Sequence, residues 1–482
     1  MSLPRVSILR QGEVYKSLDV ITINDPVTHE PVAEIDMANP GLIRRDLLRN
    51  TERAFRSLQD FSCADLIEIS KKAGDLFMNA ELPLFGDGQT QSPEDYLKCL
   101  AATSGLPHAL VRKNMTKIFQ VFTEMQEILK GLTRGMPLDI IDEGMGHHGG
   151  VTVSYFPRAK SLGIVLPSNS PGVNTLWMPA VILKSPVILK PGREEPWTPC
   201  RIMQAFIQAG MPKEAFSFYP THHEGSSQIM DCCKRSMIFG GQDTVERYGD
   251  NPNVEVHGPG WSKILIGDDQ IEDYQDYIDL IVESVSLNSG RSCINASAVV
   301  VPKHGKKIAE ALAAELVQIK PTAIGDPHAR LSSFANPKFA EFINAAIEED
   351  LKTPGAVDCT AEARGTSNRV VIHDGRTYLL PSVIYCDSPD HPIFNKEYLF
   401  PFVTVVESEQ KDFFNMIGQS LIVSGITEDE SLSRELLECP LIDRLNIGPI
   451  PTTRLDWDQP HEGNLFEFLY KRRAIQRTHT ER

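Results

Sequence analysis

Between residues 161 and 266 the sequence alternates between short apolar runs and longer amphipathic stretches. Residues 162–166, 187–189, 216–219, 237–239 and 254–256 are too short and too apolar for surface helices. Residues 172–183 and 199–209 have helical spacing, and Gly210 stops the second. Parallel strands buried on both faces read as nearly continuous apolar runs, and each needs a crossover, usually a helix. The pattern predicts an α/β fold built on a doubly wound parallel sheet. A second α/β series follows. Residues 263–266 and 298–301 read as strands. Residues 271–286 read as a helix whose Ile271, Tyr274, Ile278, Ile281, Val282 and Val285 form one stripe. Residues 306–319 and 337–350 read as further helices, with strands near 369–372, 377–385 and 402–406.

The flanks differ in character. Residues 1–40 read as an extended arm broken by Pro26 and Pro31, and 41–135 as mostly helical, with 111–132 one long amphipathic stretch. Residues 137–160 read as strand, glycine loop, strand: 138–141, then Gly144, Gly146, Gly149 and Gly150, then 151–156. The last forty residues look irregular apart from a strand near 445–448. The expected division is a cofactor domain of 1–136 and 161–258 and a catalytic domain of 259–435. Segments 137–160 and 436–482 would bridge to a partner subunit.

Composition narrows the function. The chain has 482 residues with 48 Lys+Arg against 64 Asp+Glu, a formal charge of −16. Such a chain lacks the overall field that draws nucleic acid or an anionic membrane. The most apolar segment, 163–189, holds Lys184 and four prolines and reads as buried core, not a membrane span. Residues 1–20 carry scattered charges and do not resemble a secretory signal. Nine cysteines without a pairing pattern point to a reducing cytoplasm. None of them has ligand spacing to another Cys or His, so no metal site is expected.

Four places could carry chemistry. Cys293 lies in a small-residue loop, 288–297, between a helix and a strand, where a thiol can be exposed and activated. Asn169 follows the strand 162–166, at the end where open parallel sheets bind ligands, and its amide could hold an oxyanion. Gly240 and Gly241 join a strand to a helix, which suits a phosphate. Glu255 sits beside glycines at a strand end and could act as a general base.

Together and in this order, these segments resemble the aldehyde dehydrogenase superfamily. The resemblance rests on Leu166-Pro-Ser-Asn169-Ser-Pro171, Val187-Ile-Leu-Lys190-Pro191, Phe239-Gly-Gly241, Glu255, Gly290-Arg-Ser-Cys293 and Glu397-Tyr-Leu-Phe-Pro401. It implies a Rossmann-like cofactor domain, a second α/β catalytic domain and a small β oligomerisation hairpin in a homodimer or homotetramer. Cys293 is then the nucleophile that attacks an aldehyde. Asn169 and the Cys293 N–H hold the oxyanion, and Glu255 activates water to release the acid. Lys190, Glu397, Gly241, Pro167 and Ser168 would contact NAD or NADP. Arg193, three residues after Lys190, favours NADP, although Glu194 and Glu195 follow it directly. The Gly-Gly-x-x-x-Val form at 240–245 is closer to the coenzyme A-acylating branch, with coenzyme A as co-substrate and no need for Glu255. A catalytically silent member is the third reading. Leu399 stands where the family commonly has an aromatic, and 460–466 depart from the family's C-terminal pattern. Trp177 and Phe400 are candidates for the aldehyde pocket.

Overall fold

A computed structural model describes residues 3–86 and 88–476. Two seven-stranded sheets organise them. Across the first, the order is Val254–His257, Arg235–Phe239, Leu162–Val165, Val187–Lys190, Phe216–Phe218, Ile8–Arg10 and Glu13–Tyr15. The first five run parallel and the last two are antiparallel. Leu162–Val165 is buried at every residue, as expected for a strand covered on both faces. From Leu162–Val165 the chain winds outward to Phe216–Phe218, then crosses back to Arg235–Phe239. That reversal opens a crevice at the carboxyl ends of Leu162–Val165 and Arg235–Phe239.

The second sheet runs Ala356–Asp358, Ser382–Cys386, Phe402–Glu407, Ala296–Val301, Ser262–Ile266, Ser420–Ile426 and Ile442–Ile447. All pairings are parallel except that of Ala356–Asp358. Its strands alternate between two cores. Ile264, Val299 and Val301 face one, and Leu265, Val300 and Val423 face the other.

Several expectations are revised. The extended arm is built into sheets: Ile8–Arg10 and Glu13–Tyr15 extend the first sheet, and Val20–Asn24 pairs with Pro31–Asp36. The 172–183 helix is a 3₁₀ turn, Pro171–Leu176, followed by the short helix Met178–Ile182, with Pro179 in its first turn. The long stretch 111–132 divides into His108–Thr123 and Met125–Leu132. Segment 377–385 is two strands, Arg376–Leu379 and Ser382–Cys386, parted by Leu380 and Pro381. The hairpin exists, but its first strand is Met145–His148, since 139–143 forms a helix turn. Gly149 and Gly150, at φ 55° and 79°, make the two-residue turn into Val151–Pro157. Tyr470–Arg473 adds to it as a third strand. Segment 436–482 is more than a bridge: Ile442–Ile447 edges the second sheet, and 449–463 form a strap across the crevice. Residues 477–482 lie outside the described residues.

Among the described residues no helix is long and apolar enough to cross a membrane, and no cluster of His, Cys, Asp or Glu could hold a metal ion.

Candidate active site

The crevice of the first sheet meets the loops that enter the second sheet, enclosing a cleft of about 1720 Å³. Asn169, Pro167, Ser168, Gly241, Glu255, Cys293 and Glu397 all line it. Lys190 and Arg193 do not. Lys190 ends its strand half-buried, and Arg193 is exposed. The neighbouring Glu194 lines the cleft. Glu195 turns into the core, where it accepts a hydrogen bond from the Thr198 N–H at 3.0 Å, and burial pushes its carboxyl up to about 8. Of the three successive charges, only Glu194 faces the cleft. Two pocket candidates also fall away. Trp177 is fully buried, its Nε1 donating to Asn174 Oδ1 at 3.1 Å, and Phe400 packs against Tyr398 and Phe402.

The Cys293 loop is held by its backbone. Asn288, Ser289 and Gly290 are all left-handed, at φ 52°, 62° and 65°. Such a run is costly for residues with a Cβ and persists only where the surroundings dictate it. Asn288 supplies much of that support. Its Oδ1 accepts from Asn114 Nδ2 at 2.8 Å, and its Nδ2 donates to Ser170 and Ser292 Oγ, each at 3.1 Å. Ser292 N in turn donates to Asn295 Oδ1 at 2.9 Å. A Cβ on Gly290 would stand 2.5 Å from backbone atoms of Phe400 and Pro401, and one on Gly260 would stand 1.8 Å from the Cys293 carbonyl oxygen. The glycines thus clamp the cysteine loop between 258–261 and 397–401. Ser262 Oγ also donates to the Cys293 carbonyl at 2.9 Å.

Cys293 is half-buried and reaches the cleft. Burial pushes its thiol up to about 12, with Glu462 and Glu397 adding to the effect and Lys117 opposing it. The thiol is therefore protonated at neutral pH. Asn169 Nδ2 donates one hydrogen to the Arg291 carbonyl at 2.8 Å, which ties it to the cysteine loop and leaves its second N–H available. Burial pushes the Glu255 carboxyl up to about 7, against the pull of His257, and its Oε2 is buried without a hydrogen-bond partner. Glu397 is likewise raised by burial to about 7, and its Oε2 accepts from the Trp261 N–H at 2.7 Å.

Sequence reasoning missed five polar residues here: Lys117, His257, Arg444, His461 and Glu462. His257 stacks on Phe239, centroids 4.5 Å apart, and its Nδ1 lies 2.5 Å from Glu462 Oε2. Burial alone would lower the His257 pKa, but the Glu462 carboxylate outweighs it and the pKa rises. Among the described residues His461 has no such carboxylate partner, and burial pushes it well below its usual value, reinforced by Lys117 and Arg444. Only the polar run Pro460-His461-Glu462-Gly463, inside an otherwise irregular tail, hinted at this.

The family model for the aldehyde dehydrogenase family matches residues 15–417. A malonate-semialdehyde dehydrogenase of Pseudomonas aeruginosa is 24% identical over 278 residues, 53% of each chain. The chain thus spans about half the length of the curated relatives it matches. Among solved structures, the aldehyde dehydrogenase KauB of Pseudomonas aeruginosa superposes with a TM-score of 0.80 at 14% identity, covering 98% of this chain and 97% of the other. The NAD+ complex of an aldehyde dehydrogenase from Bacillus cereus gives 0.77 at 15% identity, covering 98% and 96%. With the family model matching most of its length, the chain belongs to the aldehyde dehydrogenase family.

Proposed function

We propose that this protein oxidises an aldehyde to a carboxylic acid through a thioester on Cys293, with NAD as the acceptor. The observation that carries the reading is the meeting of Cys293, Asn169, Glu255 and Glu397 in one cleft between the two sheets. Cys293 must lose its proton to attack, and we assign that proton to Glu255, which lines the same cleft, has a buried Oε2 without a hydrogen-bond partner, and is raised by burial to about 7. The thiolate adds to the carbonyl carbon. The new oxyanion accepts hydrogen bonds from the free N–H of Asn169 Nδ2 and from the Cys293 backbone N–H. The bound nicotinamide supplies the acceptor for the hydride leaving that carbon. Glu255, its proton lost to solvent, then deprotonates a water. The resulting hydroxide attacks the thioester carbon and expels the Cys293 thiolate.

The cofactor fits the first sheet's crevice. An added Cβ on Gly241 meets nothing within 4 Å, so the chain leaves room there for a ligand beside Pro167 and Ser168. Glu194 on the wall suits ribose hydroxyls and would repel a 2′-phosphate, which favours NAD over NADP. Glu397 would hold the nicotinamide ribose. In this reading the first sheet carries the cofactor and the second the nucleophile. We infer a homo-oligomer formed through the outer hairpin strand Met145–His148, acting in the cytoplasm, where its nine free cysteines stay reduced.

The test is nucleotide reduction with an aldehyde panel, using NAD and NADP, each with and without coenzyme A. Turnover with NAD alone, abolished in Cys293→Ala, is the expected result. Turnover that requires coenzyme A would move the protein to the acylating branch and make Glu255 structural.

A further inference from the structure

The cleft that holds Cys293 is also lined by two cations that form no ion pair among the described residues. Lys117 comes from the helix His108–Thr123, and Arg444 from the edge strand Ile442–Ile447. Both are half-buried. The Lys117 ammonium lies over the turn that follows Asn169, with Nζ 3.5 Å from where a Gly172 Cβ would stand. Among the described residues, neither side chain makes an ion pair within 4.0 Å or a side-chain hydrogen bond. The carboxylate that attracts Arg444 is Asp456, which is itself paired with Arg454 at 3.1 Å. Lys117 is repelled by Arg444, and the one group attracting it is Cys293 in its thiolate form. Burial drives its pKa down to about 8, in keeping with an ammonium that lacks a counter-ion.

Desolvating two cations side by side without a partner is unfavourable, and such groups are normally paired. A pair kept unpaired beside a nucleophile, in a cleft large enough for a ligand, suits an anionic ligand group. Arginine favours bidentate oxyanions, and lysine adds a point charge. We propose that the substrate is an aldehyde whose tail ends in a carboxylate or phosphate, held by Lys117 and Arg444 while its carbonyl meets Cys293 and Asn169. The proposal rests on the reading of Cys293 as nucleophile. Arg454 and Asp456 at the rim complete the pocket wall.

The test has two independent parts. First, kcat/KM is measured for matched pairs: 4-oxobutanoate against butanal, and glyceraldehyde 3-phosphate against glyceraldehyde. The anionic member of at least one pair should win by at least about tenfold, the factor given by roughly 1.4 kcal/mol. Which pair shows it separates carboxylate from phosphate. That preference should fall toward one in Lys117→Gln and in Arg444→Gln, and Lys117→Arg should restore most of it. Second, alkylation of Cys293 by iodoacetate and by neutral iodoacetamide is followed by peptide mass spectrometry. The iodoacetate-to-iodoacetamide rate ratio should drop several-fold in both glutamine variants. A wild-type preference of one or less for both anionic aldehydes overturns the proposal, as does an alkylation ratio unchanged in both variants. If no aldehyde is oxidised at all, the proposed function fails, and the alkylation ratio still decides whether the site selects for negative charge.

Discussion

Burial sets the chemistry of individual side chains in this cleft, and three carboxyls show it. Glu195, Glu255 and Glu397 all bind protons more tightly than a free carboxylate because their charged forms are desolvated. For Glu255 the consequence is kinetic. In the proposed mechanism Glu255 is the base and must be deprotonated to act, so kcat is expected to rise with pH through about 7. Glu255→Gln should lower kcat by about 10²–10⁴-fold and abolish that acidic limb, as a pH–rate profile would show. For Glu195 the consequence is stability. Its folded pKa of about 8 lies above the unfolded value of 4.5. Its protonated form therefore favours folding fully below about pH 4.5, and that contribution is lost as pH rises to about 8. Glu195→Gln keeps an acceptor for the Thr198 N–H and removes the titration. Its stability relative to the native chain should grow between pH 5 and 8, by up to an order of 4 kcal/mol, and level off above. Urea midpoints of the two proteins across that range would check it. At this scale the sequence was partly legible. Cys293, Asn169 and Glu397 lie in local motifs whose neighbours explain them. Lys117, Arg444 and His461 carry no such signature, because tertiary folding alone brings residues so far apart in the chain to one place.

The elements that place these residues do so through glycines and caps more than through propensity. Gly290 is the clearest case, since its φ of 65° and its closeness to Phe400 and Pro401 both exclude a side chain. Gly290→Ala should cost about 1–3 kcal/mol from the backbone alone. It should also shift Cys293 relative to Asn169, and misplacement on that scale can cost about 10²-fold in rate. The expected signature is a modest fall in melting temperature with a much larger fall in kcat and in Cys293 alkylation rate. The strands of the first sheet were readable because burial on both faces makes them continuously apolar, as in Leu162–Val165. Pro337–Asp350 was readable because a proline opens it and Asn336 caps it by accepting from the Lys338 N–H at 3.1 Å. Ser420–Ile426 was not, because Ser420, Ser424 and Gly425 interrupt its apolar run. The two serines each have a specific tertiary reason: Ser420 Oγ accepts from Lys263 Nζ at 2.9 Å, and Ser424 Oγ accepts from Asn446 Nδ2 at 3.0 Å.

At the scale of the whole molecule, the strap of 449–463 joins the two sheets across the cleft, and it is fastened at both ends. One end continues from Ile442–Ile447 in the second sheet. The other runs into the helix Leu465–Leu469 and the strand Tyr470–Arg473, which pack on the first sheet's core and on the hairpin. Phe466 is the anchor, with its ring 5.1 Å from Tyr155 and 5.3 Å from Tyr470. Between the ends, His257 and Glu462 form one polar fastening, and Asn464 Nδ2 donates to the Leu132 carbonyl at 2.9 Å. If the strap depends on that anchor, loosening it should free the cleft's cover before it disturbs either sheet. Phe466→Ala removes a nearly buried ring and should cost about 3–5 kcal/mol. Amide hydrogen exchange should then quicken across 449–463 and 470–473, while Ala296–Val301, buried at every residue in the middle of the second sheet, keeps its protection. Equal quickening in both regions would mean that the strap and the sheets unfold as one unit, and that the strap cannot open independently.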